Sequence, residues 1–148
     1  MKRIKDDRIK HIHSVAEYMA DHAEEYGLDE GRCYVLGLLH DVGYAISNNQ
    51  HESVGGALLD MYGYCDAKYI IYHGITPSYY KELKHCDDED IPKPLVLLWE
   101  ADLMIDVNGK EVGYQKRLES MKARCGEKIY KQSLERANWL IKHNHGKW

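Results

Sequence analysis

Apolar residues recur at three- and four-residue intervals along almost the whole of this 148-residue chain. No alternating stretch is long enough to make a strand. Ile12, Val15, Ala16, Met19, Ala23 and Tyr26 form one stripe of a first helix, which Gly27 stops. Asp29 is placed to N-cap a second helix, whose apolar side holds Val35, Leu36, Leu38, Leu39 and Val42. A third helix is predicted from about His51 to Met61. Its Gly55 and Gly56 are poor helix formers and suit a close backbone approach. A short fourth helix spans Asp66 to His73, Thr76-Pro77-Ser78 opens a new segment, and Cys86 to Asp90 reads as a polar loop. Pro92 and Pro94 suit the first turn of a fifth helix, Leu95 to Ile105, which Asn108-Gly109 ends. Two amphipathic helices follow, over 111–124 and 127–143, the last with Tyr130, Leu134, Ala137 and Ile141 on one face. The expectation is an all-α chain, one domain over residues 1–148, of about seven helices.

A formal net charge of −4 leaves no basic excess to draw nucleic acid, so none is expected as a partner. The charged start, Met1-Lys2-Arg3-Ile4-Lys5-Asp6-Asp7-Arg8, leads into no apolar stretch, so it reads as neither signal peptide nor anchor. No segment approaches the ~20 apolar residues of a membrane span. No membrane partner and a cytoplasmic location are therefore expected. Cysteines 33, 65, 86 and 125 have neither zinc-ribbon nor redox spacing and are expected to be free thiols.

Three of the apolar runs end in, or enclose, groups that bind metal. Val35-Leu36-Gly37-Leu38-Leu39 leads into His40-Asp41, Tyr69-Ile70-Ile71-Tyr72 leads into His73, and Leu95 to Ile105 encloses Asp102. A carboxylate on the core side of a helix is costly unless something neutralises it, and a metal ion is one such partner. Imidazole with carboxylate suits zinc, iron, manganese, cobalt or nickel better than calcium or magnesium. Consecutive helical residues point about 100° apart. His40 and Asp41 can share an ion lying over the groove between them, or Asp41 can give one oxygen to each of two ions.

In the order lone His, His-Asp, distant Asp, the chain resembles the HD-domain metal-dependent phosphohydrolases. The matching residues are His13, His40-Asp41 and Asp102, flanked by Leu38-Leu39-His40-Asp41-Val42-Gly43 and Glu100-Ala101-Asp102-Leu103. The resemblance covers about residues 9–108. Residues 109–148 add C-terminal helices outside it, expected to cover the site or to pair subunits. His51 and His73 stand where the dinuclear branch has two further histidines. The resemblance implies one ion held by His13, His40, Asp41 and Asp102, and a second held by His51, His73 and a shared oxygen of Asp41. It implies two divalent ions, iron first, with manganese, zinc, cobalt or nickel as options. It also implies hydrolysis of a phosphomonoester or phosphoanhydride of a small molecule, a nucleotide above all. The pattern is similar to the branch that hydrolyses diadenosine tetraphosphate symmetrically. Here, however, Gly74 stands where that branch has Thr, and the Asp41–His51 connection is shorter. The Gly-Tyr-Pro signature of the cyclic-di-GMP branch is absent. Two other readings share the ligand set: a di-iron oxygenase of the HD type, and a non-catalytic nucleotide-binding module, which the retention of all ligand positions disfavours.

Several further residues carry weaker expectations. Glu17, one turn after His13, is placed to orient an imidazole or to sit in solvent. Glu52 and Glu100 adjoin ligands but face other ways. His11, His22, His85, His143 and His145 fit no part of the pattern and are expected to be solvated, with adventitious metal an option for the last two. Tyr44 and Tyr72 are candidate pocket residues. Lys68, Lys81 and Lys84 are conceivable phosphate contacts, and Asp87-Asp88-Glu89-Asp90 reads as a solvated loop.

Overall fold

Eight α-helices succeed one another in a computed structural model that describes residues 3–148; Met1 and Lys2, the first of the charged N-terminal run, lie outside the described residues. They are α1 (Asp6–His22), α2 (Glu30–Leu39), α3 (His51–Met61), α4 (Ala67–Tyr72), α5 (Pro77–Lys84), α6 (Lys93–Met104), α7 (Tyr114–Cys125) and α8 (Glu127–Lys142). Among the described residues the only β-type pairing is an isolated antiparallel bridge between Ile105 and Glu111. The all-α expectation holds. The helix beyond the expected seven is α5. Thr76 accepts from the Tyr79 amide as its N-cap, Pro77 takes the first turn, and Tyr80 is buried. No helix of the described residues is long and apolar enough to cross a membrane.

The first stripe packs as its period requires: Ile12, Val15, Ala16, Met19, Ala23 and Tyr26 are all buried. Helix α6 is the centre of the core, with Leu95, Leu97, Leu98, Trp99, Ala101 and Leu103 at most 1 % exposed. Burying a side chain of this size contributes roughly 1.5–3 kcal/mol. Asp29 caps α2 by accepting from the Arg32 amide. In α2 the apolar side is narrower than the sequence suggests, because Val35 is 41 % exposed and faces away from Leu36. Helices α1 and α2 touch backbone to backbone: a Cβ on Gly37 would lie 2.5 Å from Ala16 Cα. That close approach sets the distance between the two ends of α1 and α2 that carry site residues.

Glu100 belongs to the core and not to the site. Its buried carboxylate accepts from the Tyr18 hydroxyl at 2.6 Å and the Tyr26 hydroxyl at 2.8 Å. Its charge holds both phenols far above their usual pKa, in addition to the larger effect of burial. His145, expected in solvent, stacks on Tyr26, and its Nδ1 lies 2.9 Å from the Tyr26 hydroxyl. The C-terminal end is also tied down by the Tyr114 and Gln115 amides, which donate to the carbonyls of Lys147 and Trp148.

Candidate metal centre

The sequence places the first ligand on the wrong residue of α1. His13 is exposed and Glu17 with it, whereas His11 is 1 % exposed and points at the aspartates. Two positions on an α-helix are about 200° apart, so only one of these histidines can face the core. His11 is the one in line with Val15 and Met19, four and eight residues on, both 0 % exposed. His13 lines up with Glu17. The buried stripe itself carried the signal.

His40 and Asp41 also differ from the expected picture of consecutive helical residues. Helix α2 ends at Leu39; His40 is its helical C-cap and Asp41 leaves the helix at φ −107°, ψ 12°. A single 3₁₀ turn over Val42–Ala45 follows. The break lets Asp41 turn into the same space as the His40 ring. Two convergent groups result. His11, His40, Asp41 and Asp102 form one, and Asp41, His51 and His73 the other, with the ligand atoms of each within 4.8 Å of one another. Asp41 belongs to both.

Three of the four histidines have their outer nitrogen committed. Nδ1 of His11 lies 2.9 Å from the Asp106 carbonyl, Nδ1 of His40 2.6 Å from the Gly37 carbonyl, and Nδ1 of His73 2.6 Å from the Ile70 carbonyl. A carbonyl oxygen only accepts, so each Nδ1 carries a hydrogen and each ring turns its Nε2 inward. What faces each Nε2 is a carboxylate oxygen, which only accepts. His11 Nε2 is 2.9 Å from Asp102 Oδ1, His40 Nε2 is 3.2 Å from Asp41 Oδ2, and His73 Nε2 is 3.6 Å from Asp41 Oδ1. Nitrogen and carboxylate oxygen converging at such distances are bridged either by a proton on Nε2 or by a metal ion that displaces it. His40 Nε2 is moreover a fully buried nitrogen without a hydrogen-bond partner. Borderline-soft divalent metals fit this nitrogen and carboxylate donor set, and the cluster can hold one.

The charges show how strongly the two aspartates draw positive charge to this point. Burial pulls the His40 imidazole down, but Asp41 and Asp102 outweigh it and hold the pKa up to about 10. Burial pushes Asp41 up, yet the adjoining His40, His51 and His73 hold it well below the usual carboxylate range. Asp102 is held low against its own burial by His11 and His40.

The second group depends on close backbone contact between α3 and the 3₁₀ turn. A Cβ on Gly43 would collide with the His51 carbonyl, and one on Gly55 would lie 2.8 Å from the Gly43 amide nitrogen. This is the approach expected of Gly55, and it seats His51 Nε2 3.3 Å from Asp41 Oδ1. The Tyr44 ring stacks on His51, with centroids 3.9 Å apart, and the Arg8 guanidinium covers Tyr44. Glu52 does reach the site: Oε1 lies 3.4 Å from His51 Nε2. Gly74 leaves room for it, since a Cβ there would stand 2.7 Å from Glu52 Oε1.

A cavity of about 140 Å³ opens over Asp41, His51, His73 and Asp102. Its far wall is built by α7 and α8. Arg117, Met121 and Arg124 project from α7, and Gln132, Ser133 and Arg136 from α8, each set spaced for one helix face. These helices therefore cover the site. The expected lysines are elsewhere: Lys81 pairs with Asp88 at 2.7 Å, Lys68 lies over Tyr69 and Lys84 over Tyr72. The site cations are arginines. Their signal in the sequence was a seven-residue spacing, Arg117 to Arg124, on an otherwise ordinary amphipathic helix.

Comparison with known families agrees with this architecture. The family model described as HD domain matches residues 8–103, a span that contains every residue of both convergent groups and stops short of α7 and α8. No curated protein and no solved structure matches the chain significantly.

Proposed function

The chain belongs to the HD-domain family, and on that premise we propose that it is a metal-dependent phosphohydrolase of the dinuclear kind, acting on a phosphomonoester or phosphoanhydride of a small molecule, a nucleotide above all. The observation that carries the proposal is the position of the Asp41 carboxylate. Its Oδ2 faces His40 Nε2 at 3.2 Å while its Oδ1 faces His51 Nε2 at 3.3 Å and His73 Nε2 at 3.6 Å. One carboxylate thus serves two separate sets of imidazoles. His11, His40, Asp41 and Asp102 would hold one divalent ion, and Asp41, His51 and His73 the other. Bound there, such ions acidify water and withdraw charge from phosphoryl oxygens.

The protein's own groups do the rest. The three Nδ1 hydrogen bonds lock the rings so that the inner lone pairs need no reorganisation. Arg8 Nη1, 3.4 Å from Asp41 Oδ2, offsets part of the buried negative charge. Glu52 Oε1, at the cavity wall, is the carboxylate positioned to take a proton from the attacking water and then return it to the leaving oxygen. The wall formed by α7 and α8 limits water around the reacting groups.

The test is Asp41→Ala together with the unaltered chain, both analysed for metal and screened against nucleotides. The variant is expected to lose most of its metal from both groups and at least about a hundredfold in activity. Full metal content with undiminished hydrolysis in the variant would overturn the assignment.

A further inference from the structure

We propose that α7 and α8, the part of the chain beyond the HD match, form a polyanion site that selects phosphoanhydrides over monoesters. This rests on the phosphohydrolase reading for the position of the scissile phosphate. A second phosphoryl group would lie between Arg8 and Arg124.

Charge is the first reason. The inner cavity is lined by four arginines, Arg8, Arg117, Arg124 and Arg136, against three carboxylates, Asp41, Glu52 and Asp102. Two divalent ions would add four positive charges to that surplus of one. A phosphomonoester dianion leaves most of it unmatched.

The second reason is that the buried cations there are hydrogen-bonded but not closely paired with a carboxylate. Arg136 is 7 % exposed, and no carboxylate lies within salt-bridge distance of it among the described residues. It donates only to neutral acceptors: the Gly74 carbonyl at 2.6 Å, the Ile75 carbonyl at 3.1 Å and the Ser133 hydroxyl at 3.0 Å. Arg117, 5 % exposed, donates from Nε to the Asp102 carbonyl at 3.1 Å, and its nearest carboxylate oxygen among the described residues, Asp102 Oδ1, is at 3.9 Å. A guanidinium stays charged even when burial lowers its pKa, as it does for both. Such charges are costly unless an anion meets them.

Shape is the third reason. A larger cavity of about 480 Å³ adjoins the inner one and shares Arg8, Tyr44, Val107 and Arg124 with it. Its remaining charged side chains include Arg3 and Lys5 against Asp7. Arg124, an exposed residue, stands at the junction, and among the described residues its only side-chain hydrogen bond is to Ser120 on its own helix. Arg3 is paired with Asp6 at 3.2 Å, so the outward path from the aspartates owes its net positive lining to Arg8, Arg124 and Lys5 against Asp7, with room for an extended ligand.

The test is calorimetric titration of the full chain, as purified, with methylenediphosphonate and with methylphosphonate, checking that metal content is unchanged afterwards. The bisphosphonate should bind at least about tenfold more tightly, the value of one charge-assisted contact. Arg124→Gln should erase that preference, and Lys131→Gln, an exposed charge of α8 outside the cavity lining, should not. Equal affinities for the two probes, or a preference that survives Arg124→Gln, would overturn the proposal. The two readings fail separately. A preference that depends on Arg124 in a protein that hydrolyses no phosphate compound removes the hydrolase and keeps the site. Anhydride hydrolysis at unchanged kcat/KM in Arg124→Gln removes the site and keeps the hydrolase.

Discussion

His40 Nε2 lies 3.2 Å from Asp41 Oδ2 while the opposite nitrogen of the same ring is held by the Gly37 carbonyl at 2.6 Å. The ring cannot flip to relieve the inner contact without losing the outer one. Without metal, Asp41 and Asp102 favour a proton on Nε2 and hold the imidazolium pKa up to about 10 despite burial.

A pH dependence follows from that proton. The folded pKa of about 10 exceeds the ordinary 6.5, so the proton's contribution to stability is complete below 6.5 and is lost as pH rises towards 10. A metal ligand must be unprotonated, so metal affinity moves the other way, by up to about tenfold per pH unit for each proton displaced. Tm measured with and without chelator should therefore diverge as pH increases from 7 to 9. Calorimetry in buffers of different ionisation enthalpy should show proton release on metal binding. Equal Tm differences at both pH values would contradict the assigned protonation of His40.

The exchange of His11 for His13 gives a sharp comparison between neighbours. His11→Ala should lose metal from the group with Asp102 and cost about 10–100-fold in metal affinity or activity. His13→Ala, at an exposed position, should stay within about ±0.5 kcal/mol in stability and keep its metal. Metal analysis of the two purified variants decides the matter, and a loss confined to His13→Ala would reverse the assignment.

Much of this was legible in the sequence, and the failures have physical causes. The span of α3 was read to the residue because a clear period meets a polar loop at His51. His11 was missed because spacing within a motif was given priority over the stripe, although Val15 and Met19 already fixed which face of α1 is buried. Asp41 is expected from the sequence to be shared, and it does lie in both convergent groups, but its departure from the helix is not legible there. No cap or glycine marks the end of α2; the break is made by tertiary contact of Gly43 with α3. The arginine wall left only a faint trace, the spacing of Arg117 and Arg124, because Arg117 and Arg136 look like any charged residues of amphipathic helices until α7 and α8 are laid over the aspartates.

The helix contact that spaces the ligands can be tested through two glycines of α2. Gly37→Ala places a Cβ 2.5 Å from the Ala16 backbone, which cannot yield as a side chain can. A destabilisation of about 1–3 kcal/mol is expected, with weaker metal binding because His11 and His40 move apart. Gly31→Ala is the control. Its nearest neighbour is Asp29 Oδ2 at 3.4 Å, the position is exposed, and alanine favours the helix by up to about 1 kcal/mol. Urea unfolding of both should give shifts of opposite sign.

Glu100 offers the converse test, a buried acid close in sequence to Asp102 yet outside the site. Tyr18 and Tyr26 both donate to it, at 2.6 Å and 2.8 Å. In Glu100→Gln one acceptor becomes an amide donor, and one phenol must turn away or lose its partner. The expected cost is about 1–3 kcal/mol, that of one unmet buried hydrogen bond. Because the carboxylate lies on the opposite side of α6 from the convergent imidazoles, the folded variant should keep its metal content and its kcat. Denaturant unfolding gives the first quantity, and metal analysis with steady-state kinetics gives the other two. A variant of wild-type stability that had lost its metal would show that Glu100 acts on the centre and not on the core.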